Sequence, residues 1–291
     1  MTELFLNVLN MSLTAGYVII FVILIRLLLK KAPKVISYVL WAVVAFRLVI
    51  PFSFESIFSL LPQTAAPIPR DIIYHQRPQI NSGILPVDSI VNEVLPSPTI
   101  GNSVNPMQTY IEVGAYIWMI GIIALLVYSL ISVFRLKKQL KNAQLIEQNV
   151  YQAENLHTPF VLGLINPKIY LPAGLDKEEY QYILLHEQTH IYRKDHIIKI
   201  IAFIILTIHW FNPLVWVSFM LMSMDMELSC DERVLKKMNV DIKKSYANSL
   251  LTLATERRIL NGSPLAFGEG NVKSNLVICQ DKKTNKNKKN D

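Results

Sequence analysis

Three long apolar runs constrain this chain more than any other feature. Residues 4–29 carry a single charge, Arg26, near the end of the run. Residues 36–50, extended by Pro51 and Phe52, form a second and shorter run, and residues 110–134 a third. Each is near the ~20 residues a helix needs to cross a bilayer. The first is too long, and lacks the small-residue cleavage site, to be a signal peptide. The sequence therefore predicts three membrane helices, and a hydrophobic share of 52% over 291 residues agrees with that reading.

The basic residues predict the orientation. Lys30, Lys31 and Lys34 lie between the first two runs, and Arg135, Lys137, Lys138 and Lys141 follow the third. The stretch 52–109 has only Arg70 and Arg77 against Glu55, Asp71, Asp88 and Glu93. By the positive-inside rule the N-terminus is outside, and everything after Phe134 starts in the cytoplasm. The net charge of +7 reflects these flanks and a basic tail. No recognition helix or base-stacking pattern accompanies it, so direct nucleic-acid binding is not expected. Cys230 and Cys279 both fall on the cytoplasmic side, where a structural disulfide is not expected. Arg47, at the outer end of the second run, reads as an interfacial anchor, with signal relay as the other option.

Chemistry enters at His186-Glu187-Gln188-Thr189-His190. Positions four apart share a helix face, so an H-E-x-x-H on a helix can aim both imidazoles at one zinc ion, with Glu187 beside it as general base for a water. With 6 histidines in the chain, such a pentamer is rare by chance, and two incidental surface histidines are the weaker reading. The helix is well signalled. Asp176 can cap it, Glu179 completes a capping-box-like pair, and Tyr180, Ile183, Leu184, Glu187 and Ile191 recur at helical spacing. Arg193 and Lys194 suit the negative end of its dipole, which predicts a helix from about Lys177 to Asp195.

The remaining organisation follows from turn residues. Residues 53–108, rich in Pro, Ser, Asn and Thr, read as an irregular outer-face linker. Residues 135–150 read as a charged helix leaving the membrane. Val150-Tyr151, Phe160-Val161-Leu162 and Lys168-Ile169-Tyr170-Leu171 read as short strands, separated by turn signals at Gly163, Asn166-Pro167 and Pro172. Residues 197–222 are apolar enough for a fourth span, but His209-Trp210-Phe211-Asn212-Pro213-Leu214 interrupts them. Proline breaks a helix around itself, so two short helices forming a hairpin are expected, with a full span as the alternative.

A catalytic zinc site needs a third protein ligand. Asp195, Asp225, Glu227, Asp231 and Glu232 are the acidic candidates. Asp195 is five residues past His190, about a turn along the same helix, where it does not easily reach the metal. Glu227 and Asp231 are four apart, so one carboxylate can bind zinc while the other accepts a hydrogen bond from a ligating imidazole. An ordinary helix with solvated acids competes with that reading. Cys230 is a soft alternative ligand, though a small buried residue is preferred there. His196 and His209 read as structural histidines.

Together these residues resemble the BlaR/MecR-type membrane metallopeptidases, the antirepressor and β-lactam-sensing receptor family. The resemblance is carried by Thr158-Pro159-Phe160-Val161-Leu162-Gly163-Leu164 through Lys168-Ile169-Tyr170-Leu171-Pro172, by the H-E-x-x-H with Asp195, by Trp210-Phe211-Asn212-Pro213, by Glu227-Leu228-Ser229-Cys230-Asp231, and by Leu265-Ala266-Phe267-Gly268-Glu269, over roughly residues 1–274. It implies an α-helical membrane protein with a cytoplasmic α+β, gluzincin-like zinc metallopeptidase domain. It implies His186, His190 and Glu227 as zinc ligands, Glu187 as catalytic base and Asp231 as the supporting aspartate behind the ligands. It implies that the chain cleaves itself or brings about loss of a cytoplasmic repressor, relieving repression of resistance genes.

The expected domains are two membrane helices in 1–52, the outer linker 53–108, a third membrane helix in 109–135, the peptidase domain 136–270 with its hairpin at 197–222, and a disordered basic tail 271–291. Full-length receptors of this type continue into another span and an outer penicillin-binding sensor domain. Here the chain passes into Gln280-Asp281-Lys282-Lys283 and a Lys/Asn-rich stretch, and 291 residues hold no S-x-x-K-bearing acyl-transfer domain. A chain without that sensor is expected. A self-cleavage segment would fall near 266–275, with Asn275 where a basic residue is expected. The expected partners are the bilayer and a peptide substrate, either a cytoplasmic repressor or the chain itself, with a homodimer as an option. The substrate would pair with an edge strand at Phe160, Val161, Leu162 and Gly163, and Tyr246 and Arg233 are candidate oxyanion donors. A housekeeping membrane metallopeptidase and a non-catalytic receptor fragment are the rival functions.

Overall fold

The computed structural model describes residues 1–50, 68, 72, 79–82, 84–95, 106–154, 156 and 158–237. The expectations for Tyr246, the Leu265–Glu269 motif, the 266–275 segment, Cys279 and the tail 271–291 lie outside them. The described elements are helices α1 (Thr2–Leu28), α2 (Lys34–Val49), α3 (Leu85–Val94), α4 (Pro106–Gln139), α5 (Lys177–Arg193), α6 (Asp195–Ile208) and α7 (Pro213–Lys237), with strands β1 (Gln144–Glu147), β2 (Val150–Ala153), β3 (Phe160–Leu162) and β4 (Lys168–Pro172). They fall into two compact units. One comprises Met1–Lys30, Val39–Leu126 and Ile204–Ser218, the other Lys31–Tyr38, Val127–Phe203 and Phe219–Asp291.

Among the described residues, two helices are long and apolar enough to cross a membrane: Thr2–Lys31 and Pro106–Asn142, each counted with its terminal turn. The second predicted span is α2, whose 16 residues rise only about 24 Å, less than the ~30 Å hydrocarbon core.

The first unit is held by polar anchors in an apolar setting. Asn212 and Pro213 break the apolar run into two helices where the sequence predicts a turn. The Asn212 side chain caps the next helix by accepting from the Leu214 N–H at 2.9 Å, and Pro213 opens α7, where a missing N–H costs nothing. Asn212 also donates to the Ser12 hydroxyl at 2.8 Å, His209 Nε2 lies 3.0 Å from the Leu48 carbonyl, and Trp118 donates to the Ile208 carbonyl at 2.8 Å. In hydrocarbon such groups must be satisfied internally. Gly121 lets the Trp210 ring close on α4, since a Cβ there would meet ring atoms at 2.3 Å. The helix after the break is not short: α7 runs on for 25 residues, to Lys237.

The described part of 53–108 differs from the predicted irregular linker. Leu85–Val94 is helical, with Pro86 in its first turn. The polar residues that suggested a loop bind backbone instead. Asp88 accepts from the Ser82 N–H and hydroxyl at 2.7 and 2.6 Å, and Asn92 pairs with both backbone groups of Ile80. Asn10 of α1 does the same for Ile68 at 2.9 Å, and Ile68 and Ile72 are buried with Leu6 and Met107.

The second unit contains a four-stranded sheet in the order β1-β2-β4-β3. β1 and β2 are antiparallel, β2 and β4 parallel, β3 and β4 antiparallel. Among the described residues β3 is therefore an edge strand. β1 was missed: 135–150 is not one charged helix, because α4 ends at Gln139 and the chain turns back into Gln144–Glu147. Alternation along the strands gives the sheet two apolar faces. Val150, Val161, Ile169 and Leu171 pack with Ile183, Leu184 and Ile191 of α5. On the other face Phe160, Tyr170 and Ala153 pack with Leu136 and Leu140. The remaining side of α5, Tyr182 and Leu185, packs on Cys230 and Val234 of α7.

Candidate metal centre

Helix α5 forms where capping and periodicity predict. The Asp176 carboxylate accepts from the N–H groups of Glu178 and Glu179 at 2.9 and 2.7 Å, satisfying donors that the first turn leaves open. The helix ends at Lys194, in the left-handed conformation with φ 60°. His186 and His190, one turn apart, have their rings 4.7 Å apart. His186, Glu187 and His190 are all buried.

Three donor atoms converge. His186 Nε2 and His190 Nε2 are 3.0 Å apart. Glu227 Oε2, from α7, lies 3.2 Å from His190 Nε2 and 3.6 Å from His186 Nε2. Tetrahedral zinc with N and O ligands at 2.0–2.2 Å separates its ligand atoms by about 3.3 Å, so this triangle fits such an ion. The second nitrogen of each ring faces a carboxylate. His190 Nδ1 lies 2.7 Å from Asp195 Oδ2, and His186 Nδ1 lies 3.3 Å from Asp231 Oδ1. Donation of Nδ1–H to a carboxylate leaves Nε2 as the lone-pair nitrogen that a metal requires.

The electrostatics favour a cation. Burial opposes charge on His190, yet the neighbouring Glu227 carboxylate holds its pKa well above the ordinary value. Burial likewise opposes charge on Glu227, but His190 and hydrogen bonds from both imidazoles hold its pKa well below that of a usual carboxylate. A proton competes with the metal for this donor set.

Each predicted site residue among those described has a definite place. Glu187 lines a pocket with Val161, His190, Asp195, His196, Met226 and Glu227, so Val161 of the edge strand and the motif glutamate border the same space. Phe160 and Val161 are buried, Leu162 is half-buried, and Gly163 turns at φ 119°, where a Cβ would meet the Asn166 carbonyl at 2.5 Å. Cys230 also sits close: its sulfur and the two histidines offer ligand atoms within 4.8 Å of one another. Its Sγ lies 3.7 Å from the His186 carbonyl. The oxygen of Glu227 closes the triangle at shorter range, so His186, His190 and Glu227 are the better-fitting set. His209 does not join the site, and Arg233 is exposed.

Two residues depart from their expected positions. Asp195 does not continue the zinc helix. The left-handed Lys194 ends α5 and starts α6 at Asp195, which swings the carboxylate back onto His190. No glycine or proline marks this break in the sequence. His196, read as a structural histidine, lines the pocket instead, buried at 5% exposure.

The fold and site define a mostly helical protein with a metallopeptidase-type His-Glu-x-x-His centre. The chain belongs to the BlaR1 peptidase M56 family, whose profile it matches over residues 6–278, and the family is one of metallopeptidases. It is 26% identical over 188 residues to "Regulatory protein BlaR1" of Bacillus licheniformis, covering 55% of this chain and 31% of that protein. It is 34% identical over 103 residues to "Methicillin resistance mecR1 protein" of Staphylococcus aureus and of Staphylococcus epidermidis, covering 34% of this chain and 18% of each relative. The matches thus span a third or less of these relatives' lengths.

Proposed function

We propose that this chain is an integral-membrane zinc metalloendopeptidase that acts in signal transduction, cleaving itself, a cytoplasmic transcriptional repressor, or both, and so regulating resistance-type genes. The observation that carries the reading is the donor triangle of His186, His190 and Glu227 with a carboxylate behind each imidazole. The BlaR1 and mecR1 relatives support the regulatory part, and the basic flanks of the apolar helices support a multi-pass protein with its peptidase domain in the cytoplasm.

Zinc held by these residues would polarise a scissile carbonyl and lower the pKa of a water. Asp195 and Asp231 fix the tautomer and direction of the imidazoles. Glu187, buried beside them, takes the proton of the attacking water and returns it to the departing amine. Among the described residues β3 pairs on one side only, with β4, so an extended peptide can add to its other edge, next to the pocket that Val161 and Glu187 share.

The test is a candidate repressor co-expressed with wild type and with Glu187→Ala. The proposal expects repressor cleavage with wild type, reduced at least ~100-fold by the substitution, while zinc content stays the same. Repressor loss unchanged by Glu187→Ala would contradict it.

A further inference from the structure

One carboxylate behind the imidazoles, Asp195, is itself held, and one holder comes from a helix far away in sequence. Asp195 is buried at 1% exposure. Its Oδ2 meets His190 Nδ1 at 2.7 Å and Arg193 Nε at 3.2 Å. Its Oδ1 accepts from the Tyr38 hydroxyl at 3.2 Å. The Arg193 guanidinium lies 5.1 Å over the Tyr38 ring and donates to Ser229 of α7 at 2.7 Å. One turn earlier on α2, the Lys34 N–H donates to Glu232 Oε2 at 2.8 Å, and Glu232 follows Asp231, the carboxylate behind His186. Both contacts lie in the opening turns of α2, and this segment, Lys31–Tyr38, is part of the compact unit that holds the metal centre.

We infer that Tyr38 is a positioning residue for the metal centre, acting through Asp195 on the direction of the His190 imidazole. The inference rests on the proposed zinc ligation. A tyrosine at the end of an apolar helix is often an interfacial anchor with its hydroxyl in water or headgroups. Here the hydroxyl is bonded to a buried carboxylate instead. A carboxylate with both oxygens occupied has one orientation. Without the hydroxyl, Oδ1 is left buried without that donor and the carboxylate is free to turn about its bond, loosening its hold on His190.

The test is the zinc dissociation constant, by chelator competition on the full chain in detergent, together with the visible spectrum of the Co²⁺-substituted protein. Tyr38→Phe keeps the ring under Arg193 and removes only the hydroxyl. It should weaken zinc binding several-fold, less than the ~10–100-fold expected on removing a ligand's direct partner, and shift the cobalt spectrum. Combined with Asp195→Asn it should cost nothing further, because the two act in one chain of contacts. Additive losses would overturn the inference. So would a lowered metal-free melting temperature with zinc affinity and cobalt spectrum unchanged, which marks a merely structural tyrosine. A wild type whose zinc affinity is unaffected by His190→Ala would overturn the underlying ligation instead, and is recognised without reference to Tyr38.

Discussion

At the scale of residues, the pair His190 and Glu227 sets a pH signature. The raised pKa of His190 contributes stability that is complete below its ordinary value of 6.5 and lost as pH rises through the raised value. The lowered pKa of Glu227 contributes stability present above its ordinary value of 4.5 and lost as pH falls through the depressed one. The metal-free protein should gain most from this pair between about pH 4.5 and 6.5. Zinc replaces the proton, so the added stability from zinc should grow as pH rises above that window; calorimetry with and without zinc across pH 5–8 checks the sign. Asp195→Asn and Asp231→Asn should each weaken zinc binding by about 10–100-fold, and equal affinity in chelator competition would refute their role. The sequence made the ligand motif legible because its spacing is imposed by the α-helix. The role of Asp195 was not legible, because a left-handed lysine gives no compositional warning of a helix break.

At the scale of elements, what could be read from sequence was whatever has a period or a breaker. The cap at Asp176, the strands at Phe160–Leu162 and Lys168–Pro172 and the helix break at Asn212-Pro213 fall where their residues place them. β1 was hidden because Gln144–Glu147 is exposed along its whole length and so has no alternation to detect. α3 was hidden by residues whose side chains bind backbone locally, a habit shared by loops and helix caps. Close packing at Gly121 gives a stability prediction. Gly121→Ala places a methyl group against the Trp210 ring and should cost about 1–3 kcal/mol, seen as a lower melting temperature in detergent. An unchanged melting temperature would mean that Trp210 does not sit on α4.

At the scale of the molecule, the apolar runs and their basic flanks predict which loops face which side. Asn81→Cys should react with a membrane-impermeant maleimide on intact cells, and Lys141→Cys should react only after permeabilisation; the reverse pattern would contradict the proposed topology. The proposed zinc site joins α5 and α7, two segments well separated in the chain. Zinc content of the purified protein tests it most directly, compared among wild type, Glu227→Ala and Cys230→Ala. Wild type and Cys230→Ala should each hold about one zinc per chain, and Glu227→Ala should lose tight binding. Zinc retained by Glu227→Ala and lost by Cys230→Ala would contradict it and assign the third ligand to the cysteine.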